Sequence, residues 1–92
     1  MPSLFFFLGY RVFFWSMEND EPIHVHVCKG NPRSGSTKIW LLQKGGCLIA
    51  SNDARIPEKD LQKLKDAIDA QRFFICRRWK EHFAIDEIKY YC

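Results

Sequence analysis

Apolar and polar positions alternate along the first half of the chain and recur every three or four residues along the second, which predicts strands followed by helices. From Ile23 to Cys28 the alternation is strict: Ile23, Val25 and Val27 share one side, and His24, His26 and Cys28 share the other. Such a strand is expected to be half buried. Tyr10 to Ser16, rich in aromatic and β-branched residues, reads as another strand, with Leu4–Leu8 either its early part or a separate edge strand before Gly9. Met17 to Pro22 is a polar, acidic turn, and Lys29 to Ser36, with two glycines, a proline and two serines, is a loop. Thr37–Leu42 and Cys47–Ser51 flank Gly45-Gly46, the composition of a two-residue primed turn; that hairpin would set Leu42 opposite Ile49 and Trp40 opposite Ser51.

After Asn52-Asp53 the period lengthens. Pro57 suits a first helical position, and Glu58 and Asp60 put negative charge in the first turn, where the helix dipole favours it. Leu61, Leu64 and Ile68 repeat on one face, and Ile75, Trp79 and Phe83 continue the stripe, so two helices, or one broken near Gln71-Arg72, fit equally. Ile88–Tyr91 would add a short last strand. The stripe needs an apolar surface, and the preceding strands supply one. The expected fold is therefore α+β: an antiparallel meander of about four strands (about 4–52) covered on one face by two C-terminal helices (about 57–84), in a single domain spanning 1–92.

Composition narrows the class. The chain has 92 residues, 47% of them hydrophobic and 15% aromatic, too rich for a disordered polymer and too short for two independent cores. Fourteen basic against eleven acidic residues give a net charge of +3, which permits an anionic partner without requiring one. Leu4-Phe5-Phe6-Phe7-Leu8 has no basic flank or small-residue cleavage site, and Gly9-Tyr10-Arg11 ends it well short of the ~20 apolar residues of a membrane span. Cys28, Cys47, Cys76 and Cys92 form no C-x-x-C pair, so free thiols in a reducing cytoplasm are expected, with no membrane association.

Three constellations carry candidate chemistry. His24 and His26 lie about 7 Å apart on one side of a strand, and Asp20 and Glu21 sit in the turn beside them. Paired imidazoles with a nearby carboxylate suit acid–base work, phosphate contact or a metal; with two histidines and no fixed third ligand, no metal or other cofactor is expected. The alternative is that the two rings only hold the fold. Gly30 to Lys38 has the Gly-x-x-x-x-Gly spacing of a phosphate loop, but Ser36 stands where the lysine belongs and a strand, not a helix, follows. Its cations Lys29 and Arg33 remain candidate binding residues. Arg72, Arg77, Arg78 and Lys80 interleave with Phe73, Phe74, Trp79 and His82, a mixture that suits single-stranded nucleic acid or, equally, the solvated side of an amphipathic helix. Trp79 falls on the apolar stripe and reads as core. Phe73 and Phe74 are adjacent and cannot both face inward. Cys76, with no placed base, reads as a small buried residue.

A strand ending Phe13-Phe14-Trp15-Ser16, the Glu21-Pro22 turn, Pro22-x-His24-x-His26, Lys38-Ile39-Trp40, Ile56-Pro57-Glu58 and Trp79 together resemble a family of small prokaryotic domains of unknown function, numbered forty-one sixty. The resemblance runs from Leu8 to Phe83. It implies a bacterial cytoplasmic protein encoded beside a second small protein, the two forming a toxin–antitoxin-type module, with RNA as a further candidate ligand. Many relatives carry another histidine and a second proline where this chain has Asp20 and Ile23; Asp20 can replace a histidine as ligand or base, and the change argues against a required three-histidine site. Two functions follow. The His24/His26 face, with Asp20, Glu21 and the basic residues Lys29, Arg33, Arg72, Arg77 and Arg78, contacts or cleaves RNA; or the chain is a non-catalytic protein-binding module whose histidines are structural.

Overall fold

The computed structural model describes residues 3–16, 20–30 and 35–92. Strands β1 (Ser3–Phe7), β2 (Tyr10–Phe13), β3 (His24–Cys28), β4 (Thr37–Leu41) and β5 (Cys47–Asn52) form one antiparallel sheet in the order β1-β2-β3-β4-β5, followed by α1 (Glu58–Ala70) and α2 (Arg72–Phe83). The α+β meander is as expected, with five strands where about four were predicted, because Leu4–Phe7 is an edge strand of its own. Leu8-Gly9 closes the β1–β2 hairpin with φ of 53° and 80°, the two positive values of a primed turn, whose twist matches that of the strands it joins. Gly9 adopts this backbone freely, whereas Leu8 adopts it against the clash of its own Cβ. Leu8 is half exposed, so Leu8→Asn removes little buried surface and is expected to raise the unfolding free energy by about 0.5–1 kcal/mol, read as a higher urea midpoint at unchanged m-value. A lower midpoint would contradict the strain.

The β4–β5 hairpin departs from the predicted register. Leu42 N–H donates to Gly46 C=O at 3.1 Å and Gly45 N–H donates to Leu42 C=O at 3.2 Å, so the chain reverses at Gln43-Lys44 and Gly45 completes a three-residue loop. Both glycines do take positive φ, 112° and 82°. The pairs are Leu41 with Cys47, Trp40 with Leu48 and Ile39 with Ile49, in place of Leu42 with Ile49 and Trp40 with Ser51. This register wins because it brings Ile39, Leu41, Cys47 and Ile49 to the core side together. An irregularity between Lys38 and Ile39 then shifts the pairing, setting Thr37 opposite Asn52. Asn52 ties the sheet to the helices: Thr37 Oγ1 donates to its Oδ1, and it exchanges two hydrogen bonds of 3.0 Å with the Ile56 backbone just before α1.

The predicted helical stripe is the stripe that packs. Leu61, Leu64, Ile68, Ile75 and Trp79 are buried against Val12, Phe14, Val25, Val27, Ile39 and Leu41, and Phe83 is half buried beside them. Pro57 proves to be the cap of α1, its ψ of 149° still extended, one position earlier than predicted. The helices separate at Gln71. Here the Asp69 carboxylate accepts from Gly46 N–H at 2.9 Å and from Arg72 Nε at 3.0 Å, while Arg72 Nη2 donates to Gly46 C=O at 3.0 Å. The Gly46 N–H and the Arg72 guanidinium together hold the Asp69 carboxyl below its usual range. This bracket fastens the β4–β5 loop to the helix junction. Ile88–Tyr91 forms no strand. It crosses the end of the sheet instead of lining an edge: Ile23 N–H donates to Lys89 C=O at 2.8 Å and Gln43 N–H to Cys92 C=O at 3.0 Å, while the ring of Tyr91 stacks on Trp40.

Candidate functional site

Strand β3 lies at the centre of the sheet, and every one of its residues is buried, where the alternation predicted burial on one side only. The helices cover the valines. The histidine side is covered as well, because the neighbouring strands place aromatic rings there: Phe13 pairs with His26 across β2–β3, and Trp40 pairs with His24 across β3–β4. Phe13 stacks on His26 with ring centroids 5.6 Å apart, Trp15 meets His26 edge-on at 6.1 Å, and Trp40 meets His24 edge-on at 5.5 Å. The two imidazoles stand edge to face at 5.0 Å. Trp79 of α2 also reaches His24, at 5.4 Å, so the helical layer touches the pair where β3 begins.

Exposure separates the two rings: His24 is 0% exposed and His26 8%. His24 Nδ1 lies 2.8 Å from Pro22 C=O, and because a carbonyl only accepts, Nδ1 carries the proton of that bond. His26 Nδ1 lies 3.1 Å from Ser36 Oγ, a partner that can give or take a proton. Glu21 is not on the rings in these contacts; its carboxylate pairs with Lys38 Nζ, and Lys38 sits opposite His26 in the sheet with Nζ 4.4 Å from the Trp40 ring centre. Asp20 is exposed, and its backbone carbonyl accepts from Lys89 Nζ at 3.5 Å. Among the described residues no three His, Cys, Asp or Glu side chains are grouped to hold a metal ion.

The basic candidates do not gather at the histidines. Lys29 is exposed beyond the end of β3, its Nζ 5.0 Å from the Tyr10 ring. Arg33 lies outside the described residues. Arg72 belongs to the Asp69–Gly46 bracket, and Arg77 and Arg78 lie over the Phe74 ring at 5.9 and 5.8 Å, all three on α2. Of the adjacent phenylalanines, Phe74 packs inward and Phe73 stands 86% exposed.

A sequence model of a domain of unknown function, DUF4160, matches residues 9–80. The chain belongs to that family. The DUF4160 match spans β2 to β5, α1 and most of α2, and so contains the His24-x-His26 pair and Trp79 that carry the sequence resemblance. No curated protein and no solved structure matches the chain. No helix among the described residues of this DUF4160 domain is long and apolar enough to cross a membrane.

All four thiols are free: Cys28 and Cys47 are buried, Cys76 is half buried and Cys92 exposed. Burial first, and the Asp69 carboxylate second, push the Cys47 thiol up to about 11, which leaves it a packing residue. The aromatic surround of the histidines was the part the sequence pattern did not reveal. Parity along the strands held the signal, since Arg11, Phe13 and Trp15 alternate to one side of β2 and its extension, and Lys38 and Trp40 to one side of β4. Only the register shows that these sides coincide with that of the histidines.

Proposed function

We propose that this DUF4160 domain is a binding component of a two-protein module of the toxin–antitoxin type, working in the cytoplasm, and that His24 and His26 shape its outer sheet face instead of performing acid–base chemistry. The observation that carries the structural role of the histidines is their burial: a general acid or base must come within hydrogen-bond reach of the proton it transfers, and His24 has no exposed surface. The module is what the sequence resemblance implies, and the exposed apolar side chains Phe6, Leu8 and Leu48 supply contact surface for a small protein partner. The test is co-expression with the small protein encoded beside it. A complex that co-elutes in size-exclusion chromatography, and that survives His26→Ala, is expected. Separate elution of the two proteins would overturn the reading.

A second reading keeps the same face but gives it RNA as substrate, with His26 as acid or base, His24 beside it, and Asp20 and Glu21 in the adjoining turn. It is favoured by the surface His26 retains next to Trp15, which is 36% exposed. Under this reading His26→Ala abolishes growth inhibition although the domain remains folded, as a cooperative melting curve would show. Growth inhibition retained by the variant would reject it.

A further inference from the structure

Where α2, the β4–β5 loop and the C-terminal segment meet, they enclose a cleft of about 400 Å³, within the size range of small-ligand sites. Lys44 comes from the loop, Arg72, Phe73, Cys76 and Lys80 from α2, and Tyr90 from the C-terminal segment. Every charged residue lining the cleft is cationic. Lys44 and Lys80 are exposed, and among the described residues neither has a carboxylate partner. Arg72 is held by Asp69, so the field in the cleft comes chiefly from the two lysines. The carboxylates of Glu81 and Asp86 line a separate depression on the far side of Lys80 and bound the positive surface there. Tyr90 turns its hydroxyl to within 4.0 Å of Cys76 Sγ, which fixes the phenol in the cleft wall.

Phe73 makes the cleft more than a basic patch. At 86% it is the most exposed of the large apolar side chains among the described residues, and it stands in the first turn of α2. A ring so exposed packs little within the fold, and a base can stack on it while neighbouring cations neutralise the phosphates. We infer that this cleft binds single-stranded RNA, one base stacking on Phe73 and the adjoining phosphates meeting Lys44 and Lys80. An acidic peptide would use the two lysines but leave the ring without a role. The cleft lies on the helical side of the molecule and uses none of the histidine-face residues, so it stands whether or not the proposed module exists.

The probe is a fluorescein-labelled oligouridylate of eight nucleotides, followed by fluorescence anisotropy on the whole chain. Binding is expected to weaken as salt rises. Phe73→Ala should weaken it about tenfold, in keeping with the stacking of one base. Lys44→Glu with Lys80→Glu should weaken it at least as much and reduce the steepness of the log–log salt dependence by about 1.4, two phosphate contacts at ~0.7 each. Lys63→Ala, which removes an exposed cation of α1 that does not line the cleft, should leave binding unchanged. All three altered positions in the cleft are exposed, and a melting curve that superimposes on the parent's confirms the fold of each variant. The inference is overturned by absence of binding, by an unchanged affinity in Phe73→Ala, by equal affinity for a duplex of the same length, or by equal competition from an oligoglutamate peptide.

Discussion

Trp79→Ala is expected to lower the unfolding free energy by about 3–5 kcal/mol, enough to remove much of the stability of a domain of this size. The indole is 1% exposed and joins the sheet to α2. Its ring centre lies 5.2 Å from that of Phe14, 4.7 Å from Phe83 and 5.4 Å from His24, so one side chain links β3 and the residue after β2 to the last turn of α2. Alanine would leave a cavity with rings on three sides, and rings collapse into such a space less readily than flexible aliphatic chains. Urea denaturation should show the loss as a lowered midpoint; in a thermal scan each kcal/mol corresponds to roughly 4–8 °C. Trp79→Phe should recover part of it. A loss below about 1 kcal/mol in the alanine variant would mean that Trp79 does not join the layers.

His24→Ala is expected to cost about 2–4 kcal/mol, an unusual loss for a residue on the face of a sheet opposite the helices. Two effects add. The Pro22 carbonyl loses its donor at the start of β3, and the ring leaves a void between Trp40, His26 and Trp79. His26→Ala should cost less, about 1–2 kcal/mol, because its partner Ser36 is a hydroxyl that can turn to other groups and the ring keeps some solvent contact. The ordering of the two losses in equilibrium unfolding is the informative result. Equal and negligible losses would return both histidines to the list of residues held for chemistry, whereas a large loss at His24 marks it as part of the framework.

The period of two from Ile23 to Cys28 made the shared side of the histidines readable without coordinates, and the stripe from Leu61 to Trp79 did the same for the helical layer. What could not be read was the covering of the histidine side. Phe13 and Trp40 reach it only through strand pairing, and Tyr91 arrives from the far end of the chain to stack on Trp40 at 4.9 Å. The hairpin was misaligned for a local reason: Gly45-Gly46 fits two kinds of loop, and only the burial of Ile39, Leu41 and Ile49 on a common side selects the longer one. The cleft at Phe73 was half visible. Its helical residues stand in the sequence as a mixture of arginine and aromatic side chains, but Lys44 and Tyr90 belong to other elements, and Arg77 and Arg78 of the same run stand over Phe74 instead.

The strand order has a further consequence, for how the chain finds its fold. In a meander each strand pairs with its immediate neighbour in sequence, so no ladder has to wait for a distant part of the chain, and loop closure costs little for each one. Among the described residues, the contacts that span most of the sequence belong to the helices and the tail, among them Tyr10 Oη to Asp60, Ser16 C=O to His82, Ile23 N–H to Lys89 C=O, and His24 to Trp79. During synthesis the whole sheet leaves the ribosome before α2 does, with Val12, Val25, Val27 and Ile39 still open to water. The interval between the appearance of β5 and the docking of Trp79 is therefore when the growing chain is most exposed to association with its neighbours.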